Sequence, residues 1–195
     1  MAKQPLKYSS KPKPFPWVAT LIAALAVVIL AGAGWAWWQS RQSVDTFQVL
    51  VTQGQPALSK VQTGVDAGRT HVEQGRAVGY ASRPATSGPH WPTWVNAGFY
   101  TEERPAETLV HSLEHGNVVI YYDQPDETAL NTLKDWAGRF RGQWDGVVVV
   151  PYKGLGQNIL LTAWNKSLRQ ERFDPAGAAA FIDAFRGRGP ENPVR

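Results

Sequence analysis

The sequence predicts an α/β (α+β) fold, with a single N-terminal transmembrane helix followed by a small mixed-sheet domain whose C-terminal order is β-α-β-β-α. Three observations predict it. Trp17 to Trp38, WVATLIAALAVVILAGAGWAWW, is a run of 22 residues without a charge. Two apolar, β-branched runs, 117 to 122 (NVVIYY) and 146 to 152 (GVVVVPY), flank a segment with helical spacing. A third such run, 159 to 164 (ILLTAW), precedes an alanine-rich stretch that reads as a last helix.

The apolar run is long enough as a helix to cross about 30 Å of hydrocarbon. Trp17 on one side and Trp35, Trp37 and Trp38 on the other stand where interfacial anchors belong. Lys3, Lys7, Lys11 and Lys13 precede it with no acidic residue, so the positive-inside bias puts the N-terminus in the cytoplasm and the domain outside the cell membrane. A cleaved signal peptide is the alternative, with only a loose cleavage site among the small residues Ala31 to Gly34. The expected organisation is a basic cytoplasmic tail over 1–16, the span over 17–38, a juxtamembrane stalk over 39–68 and one extracytoplasmic domain over 69–195.

The net charge of +4 does not announce a nucleic-acid partner. Those four lysines account for the whole excess, and the remaining 16 Lys and Arg balance 16 Asp and Glu. The absence of cysteine excludes disulfides, thiolate ligands and thiol redox chemistry. A thioredoxin-like arrangement of the C-terminal part is therefore an alternative for the fold alone.

Within the domain, 80 to 100 (YASRPATSGPHWPTWVNAGFY) reads as a long loop stiffened by prolines and turned by glycines, of the kind that carries function. Thr108 to His115 reads as a short helix, with Glu107 suiting its positive end and Gly116 as its left-handed cap. After the strand at 117 to 122, Leu130, Leu133, Trp136, Ala137 and Phe140 recur at helical spacing over 126–140. The strand-helix-strand unit favours a parallel pair, and a hairpin through 151–158 (PYKGLGQN) should add an antiparallel neighbour before the last helix over 175–187.

All four histidines fall within the 45 residues from His71 to His115. His111 and His115, at i and i+4, share one helical face, His90 sits on the proline-rich loop, and His71 precedes it. Together they suggest a mononuclear metal site with His111, His115 and His90 as ligands and His71 as a fourth ligand or supporting donor. Imidazoles and carboxylates without sulfur suit zinc, copper(II) or nickel; zinc or copper is the expected cofactor. The bland alternative is that buried histidines and a helix-end glutamate merely hold the loop in place.

Two other classes compete. H111-S-L-E-H115 matches the H-x-x-E-H pattern in which a glutamate, here Glu114, is the general base on zinc-bound water, although the helix ends directly after the second histidine. Alternatively Trp91, Trp94, Phe99 and Tyr100 form a surface for an extracytoplasmic protein partner, or fill the core beneath the loop. Ser87 beside His90 reads as a turn residue before it reads as a nucleophile.

The segments 84 to 91 (PATSGPHW), 98 to 100 (GFY), 109 to 122 (LVHSLEHGNVVIYY) and the late VVVVPY, LTAW and RGRGPE resemble a bacterial membrane-anchored family known as domain of unknown function 3105. The similarity covers roughly residues 65 to 192. It implies an anchored domain whose characteristic residues are His71, Ser87, Gly88, His90, His111, Glu114, His115 and Gly116, and it implies no metal or reaction.

Overall fold

The computed structural model describes residues 16–195. The tail expected over 1–16 lies, except for Pro16, outside them. Helix α1 runs Pro16–Gly54. Its apolar part is long enough to cross a membrane and carries no buried residues, which fits either a membrane anchor or a signal sequence. The compact unit comprises Thr46–Arg195.

That boundary moves the expected stalk. Phe47 and Val51, assigned to a stalk over 39–68, are buried at 5% and 4% exposure in the main core. Phe47 packs edge-on against Trp136 and Phe140 at centroid distances of 5.6 and 5.0 Å. The short apolar groups between Gln and Gly there are thus core residues spaced along a helical face, not punctuation in a linker. A 3-10 turn, Gln55–Lys60, follows, and β1 (Gln62–Thr63) joins the edge of the sheet.

After the loop come β2 (Gly98–Phe99), α2 (Ala106–Glu114), β3 (Val118–Tyr122), α3 (Glu127–Arg139), β4 (Val147–Pro151), β5 (Ile159–Ala163), β6 (Lys166–Gln170) and α4 (Pro175–Phe185). The helices and strands expected after the loop are all present within two residues of their anticipated ends, whereas α1 continues sixteen residues beyond the expected end of the span at Trp38. β6 is additional. Its KSLRQ sequence buries only Leu168 and Gln170, so it carries too little apolar alternation to announce a strand.

The sheet order is β1-β6-β5-β3-β4-β2. β3 and β4 are parallel, as expected, and β5 is antiparallel, but its neighbour is β3 rather than β4. The segment expected to be a hairpin crosses the end of β3 instead. Asp123, just beyond β3, accepts from the backbone N–H of Gly154 and Gly156 at 3.1 and 3.0 Å, and Gln124 N–H donates to Gly156 O at 2.8 Å. The far edge of β4 is taken by β2, pairing Gly98 with Val148 and Phe99 with Val149. β5 therefore closes on β3.

Period-two alternation divides the central strands between two cores. Val118, Ile120, Val147, Val149, Ile159 and Leu161 face α3, α4 and Phe47. Val119, Tyr121, Val148 and Val150 face Leu109 and Leu113 of α2, with Val95 from the loop. Covering both faces explains why 146 to 152 is an uninterrupted apolar run. The second face carries α2, and with it the histidines.

Candidate metal centre

The end of α2 is built by a Schellman motif. Gly116 N–H donates to Leu113 O at 2.9 Å and Asn117 N–H to Ser112 O at 3.0 Å, with Gly116 at φ +99°. A Cβ on Gly116 would lie 2.7 Å from Trp144 O and 2.8 Å from Gly189 N. That space is occupied by the C-terminal tail: Gly187 N–H donates to Gly116 O at 2.8 Å and Glu191 N–H to Glu114 O at 3.3 Å. The two glycines, 116 and 189, let the tail lie directly on the helix end. Glu191 arrives beside His115 as a result.

The loop is fixed on the opposite side. His71 and His90 form an isolated parallel bridge, in which Val72 N–H donates to His90 O at 2.8 Å and His90 N–H to Thr70 O at 3.1 Å. This sets the two imidazoles at a centroid distance of 5.0 Å. His111, projecting from α2, lies 4.9 Å from each ring, and His115 lies 4.6 Å from His111. All four expected histidines thus meet in one cluster.

They do not form one four-histidine group. His71, His90, His111 and Glu114 each offer one ligand-type atom, all within 4.8 Å of one another. His111, His115 and Glu191 form a second such group, sharing His111. Glu114 accompanies three of the histidines, and His115 pairs with Glu191 at 3.1 Å. Neither the tail residue Glu191 nor Arg69, 3.9 Å from Glu114, was an expected member. Glu191 ends the RGRGPE segment, and the glycines preceding it were the available signal.

The hydrogen bonds orient the rings. His90 Nδ1 lies 2.8 Å from Gly88 O and His111 Nδ1 lies 2.8 Å from Trp91 O. A carbonyl only accepts, so each Nδ1–H donates, and in the neutral ring the lone pair is on Nε2. His90 Nε2 then faces Glu114 Oε2 at 3.0 Å, with Glu114 only 4% exposed and His90 fully buried. Two acceptors at that distance repel unless a cation or an additional proton lies between them. His71 Nε2 approaches the same carboxylate oxygen at 3.7 Å from its half-exposed position.

Burial pushes His111 below the usual imidazole range, assisted by the neighbouring rings of His90 and His71 and opposed by its bond to Trp91 O. His115 is pushed down to about 4, by burial first and by His111 second, against the pull of Glu191. Both rings are neutral at pH 7 and offer lone pairs.

The aromatic residues divide. Phe99 stacks on Tyr122 at 5.4 Å in the core on the α3 side of the sheet, whereas Tyr100 packs on the α2-side core beneath the loop. Trp91 is half-buried, with Nε1–H donating to Arg76 O at 2.8 Å. Trp94 is 40% exposed and leans over His115 and His111 at 4.7 and 5.5 Å. Ser87 accepts from Ala67 N–H and donates to Val65 O at 3.0 and 3.2 Å, a turn-fixing role.

A family model described as "Protein of unknown function (DUF3105)" matches residues 71–195. The chain belongs to this family. The matched span includes both candidate ligand groups, from His71 to Glu191, and it also holds the helix cap and the tail that join them. No curated protein matches the chain, and no solved structure does.

Proposed function

We propose that this DUF3105 domain binds one zinc or copper(II) ion through His71, His90, His111 and Glu114, held outside the cell membrane by its N-terminal helix with the N-terminus in the cytoplasm. One observation carries the reading: His90 and His111 each donate Nδ1–H to a backbone carbonyl, leaving Nε2 for the site, while a buried carboxylate lies among them. Metal-ligating histidines are fixed in this way. A tetrahedral site with ligand bonds near 2.0–2.1 Å places ligand atoms roughly 3.3 Å apart. The atoms here lie within 4.8 Å of one another, and His71 is the half-exposed member of the group.

The geometry favours binding over H-x-x-E-H hydrolysis. Glu114 faces His90 and His71, while the carboxylate nearest the His111 and His115 pair is Glu191. This supports reading Glu114 as a ligand rather than as a base on water held by that pair.

The test is elemental mass spectrometry on the untagged full chain in detergent, after incubation with zinc and with copper(II). One ion per chain is expected, falling by about tenfold or more in affinity for Glu114→Gln and lost in His90→Asn/His111→Ala. Metal content in that folded double variant equal to the parent's would refute the ligand assignment.

A further inference from the structure

The second ligand group adjoins the first without being part of it. Glu191 Oε2 lies 3.1 Å from His115 Nε2 and 3.9 Å from His111 Nε2, and only His111 belongs to both groups. We propose that His111, His115 and Glu191 form a second position for a divalent zinc or copper ion, alternative to the first, so that a single ion passes between the two while His111 stays attached. This rests on reading the His71, His90, His111 and Glu114 group as a metal site.

Exclusion follows from the chemistry of one ring. His111 Nδ1–H is committed to Trp91 O, which leaves Nε2 as its single lone pair, and one imidazole lone pair binds one ion. Both positions cannot be filled at once through it. The two groups are therefore two places for one ion, not a dinuclear centre.

The outer position is the weaker. It offers two imidazoles and one carboxylate, against three and one for the inner group. His115 also lacks the fixing bond that His90 and His111 have: its buried Nδ1 has no hydrogen-bond partner, and its ring is held by Trp94 and Trp144 at 4.7 and 4.3 Å. Less orientation means a larger ordering cost on binding. Glu191, with its side chain 39% exposed on the tail, faces solvent, so water can complete the coordination there.

Such an arrangement supports transfer by ligand exchange. An ion arriving at Glu191 and His115 can exchange those ligands for Glu114, His90 and His71 one at a time. At no step does it return to bulk water, because His111 is common to both ends of the path.

The experiment titrates copper(II) against a competing chelator into the untagged full chain in detergent, for the parent, His71→Ala/His90→Asn, and that pair combined with Glu191→Gln. Asparagine at 90 retains an N–H for Gly88 O, and thermal melts followed by circular dichroism check folding. The parent is expected to bind one ion. The His71→Ala/His90→Asn variant should still bind one, about tenfold or more weaker, and lose it when Glu191→Gln is added.

A folded His71→Ala/His90→Asn variant that binds nothing, or whose binding is indifferent to Glu191→Gln, overturns the second position. A parent that takes two ions overturns the exclusion. If the variant does not fold, Glu191→Gln alone decides: ion removal by EDTA should slow about tenfold at unchanged stoichiometry, and an unchanged rate refutes the exchange path. A parent that binds no ion overturns the inner site as well, which separates that failure from the others.

Discussion

At the scale of single residues, the site depends on which ring nitrogen is already committed. His90 and His111 have Nδ1 tied to carbonyls, whereas His115 has Nδ1 buried and unpartnered. The cost of that burial appears as pH dependence. His115 is lowered from 6.5 to about 4 on folding, so between those values the unfolded chain holds a proton that the folded chain does not. Its contribution is complete above pH 6.5 and lost as pH falls towards 4, and His111 acts in the same direction. Chemical denaturation in EDTA should show the metal-free domain losing on the order of 2 kcal/mol across this window, reduced in His115→Gln. An equal loss in that variant would place the acid sensitivity elsewhere. The four histidines were legible in the sequence because they are rare and close together. Glu191 was not, since the glycines before it signal a close backbone approach without saying that the tail returns to α2.

Among the elements, the end of α2 governs the most. Its Schellman cap needs a positive φ at Gly116, which the glycine before a β-branched run announced, but the reason no larger residue fits there is tertiary. Trp144 O and Gly189 N occupy the space a side chain would need. Gly116→Ala combines an unfavourable backbone conformation with that clash, and should cost about 2–4 kcal/mol in thermal or urea unfolding. If the tail is displaced, the pairing of Glu191 with His115 goes with it. A variant with parental stability would show that the tail yields without cost. The strands behave similarly: β3, β4 and β5 were readable from their β-branched runs, while β6 was not, because its inward positions hold one apolar residue, Leu168, beside the polar Gln170.

For the whole molecule, the compact unit extends further towards the N-terminus than the stalk reading allowed. Phe47 and Val51 complete the core over α3, and the 3-10 turn at Gln55–Lys60 leads into the edge strand β1. A chain of residues 46–195 should therefore melt cooperatively. One of residues 69–195 should lose at least about 3 kcal/mol, the scale of removing a buried aromatic side chain, and aggregate through the uncovered face. Equal melting temperatures would return Phe47 and Val51 to a linker. Membrane topology is equally testable, because the chain has no cysteine of its own. In intact cells a membrane-impermeant maleimide should label Asn192→Cys and not Ser10→Cys, and the reverse pattern would invert the proposed orientation.

Composition, periodicity and element order by themselves determined the apolar helix, the parallel pair, the approximate ends of α2, α3 and α4, and the candidacy of four histidines. These follow from local rules, the period of a helix or strand and the backbone preferences of glycine and proline, which act over a few residues. Tertiary structure decided the rest. Whether β5 pairs with β3 or β4 depends on which edge β2 has taken, and where Phe47 packs depends on a surface made by α3. The division of the cluster into two groups sharing His111 depends on a tail laid across a helix end by two facing glycines. Each is a contact between residues far apart in the chain, whose energy exists only once the intervening segments have folded.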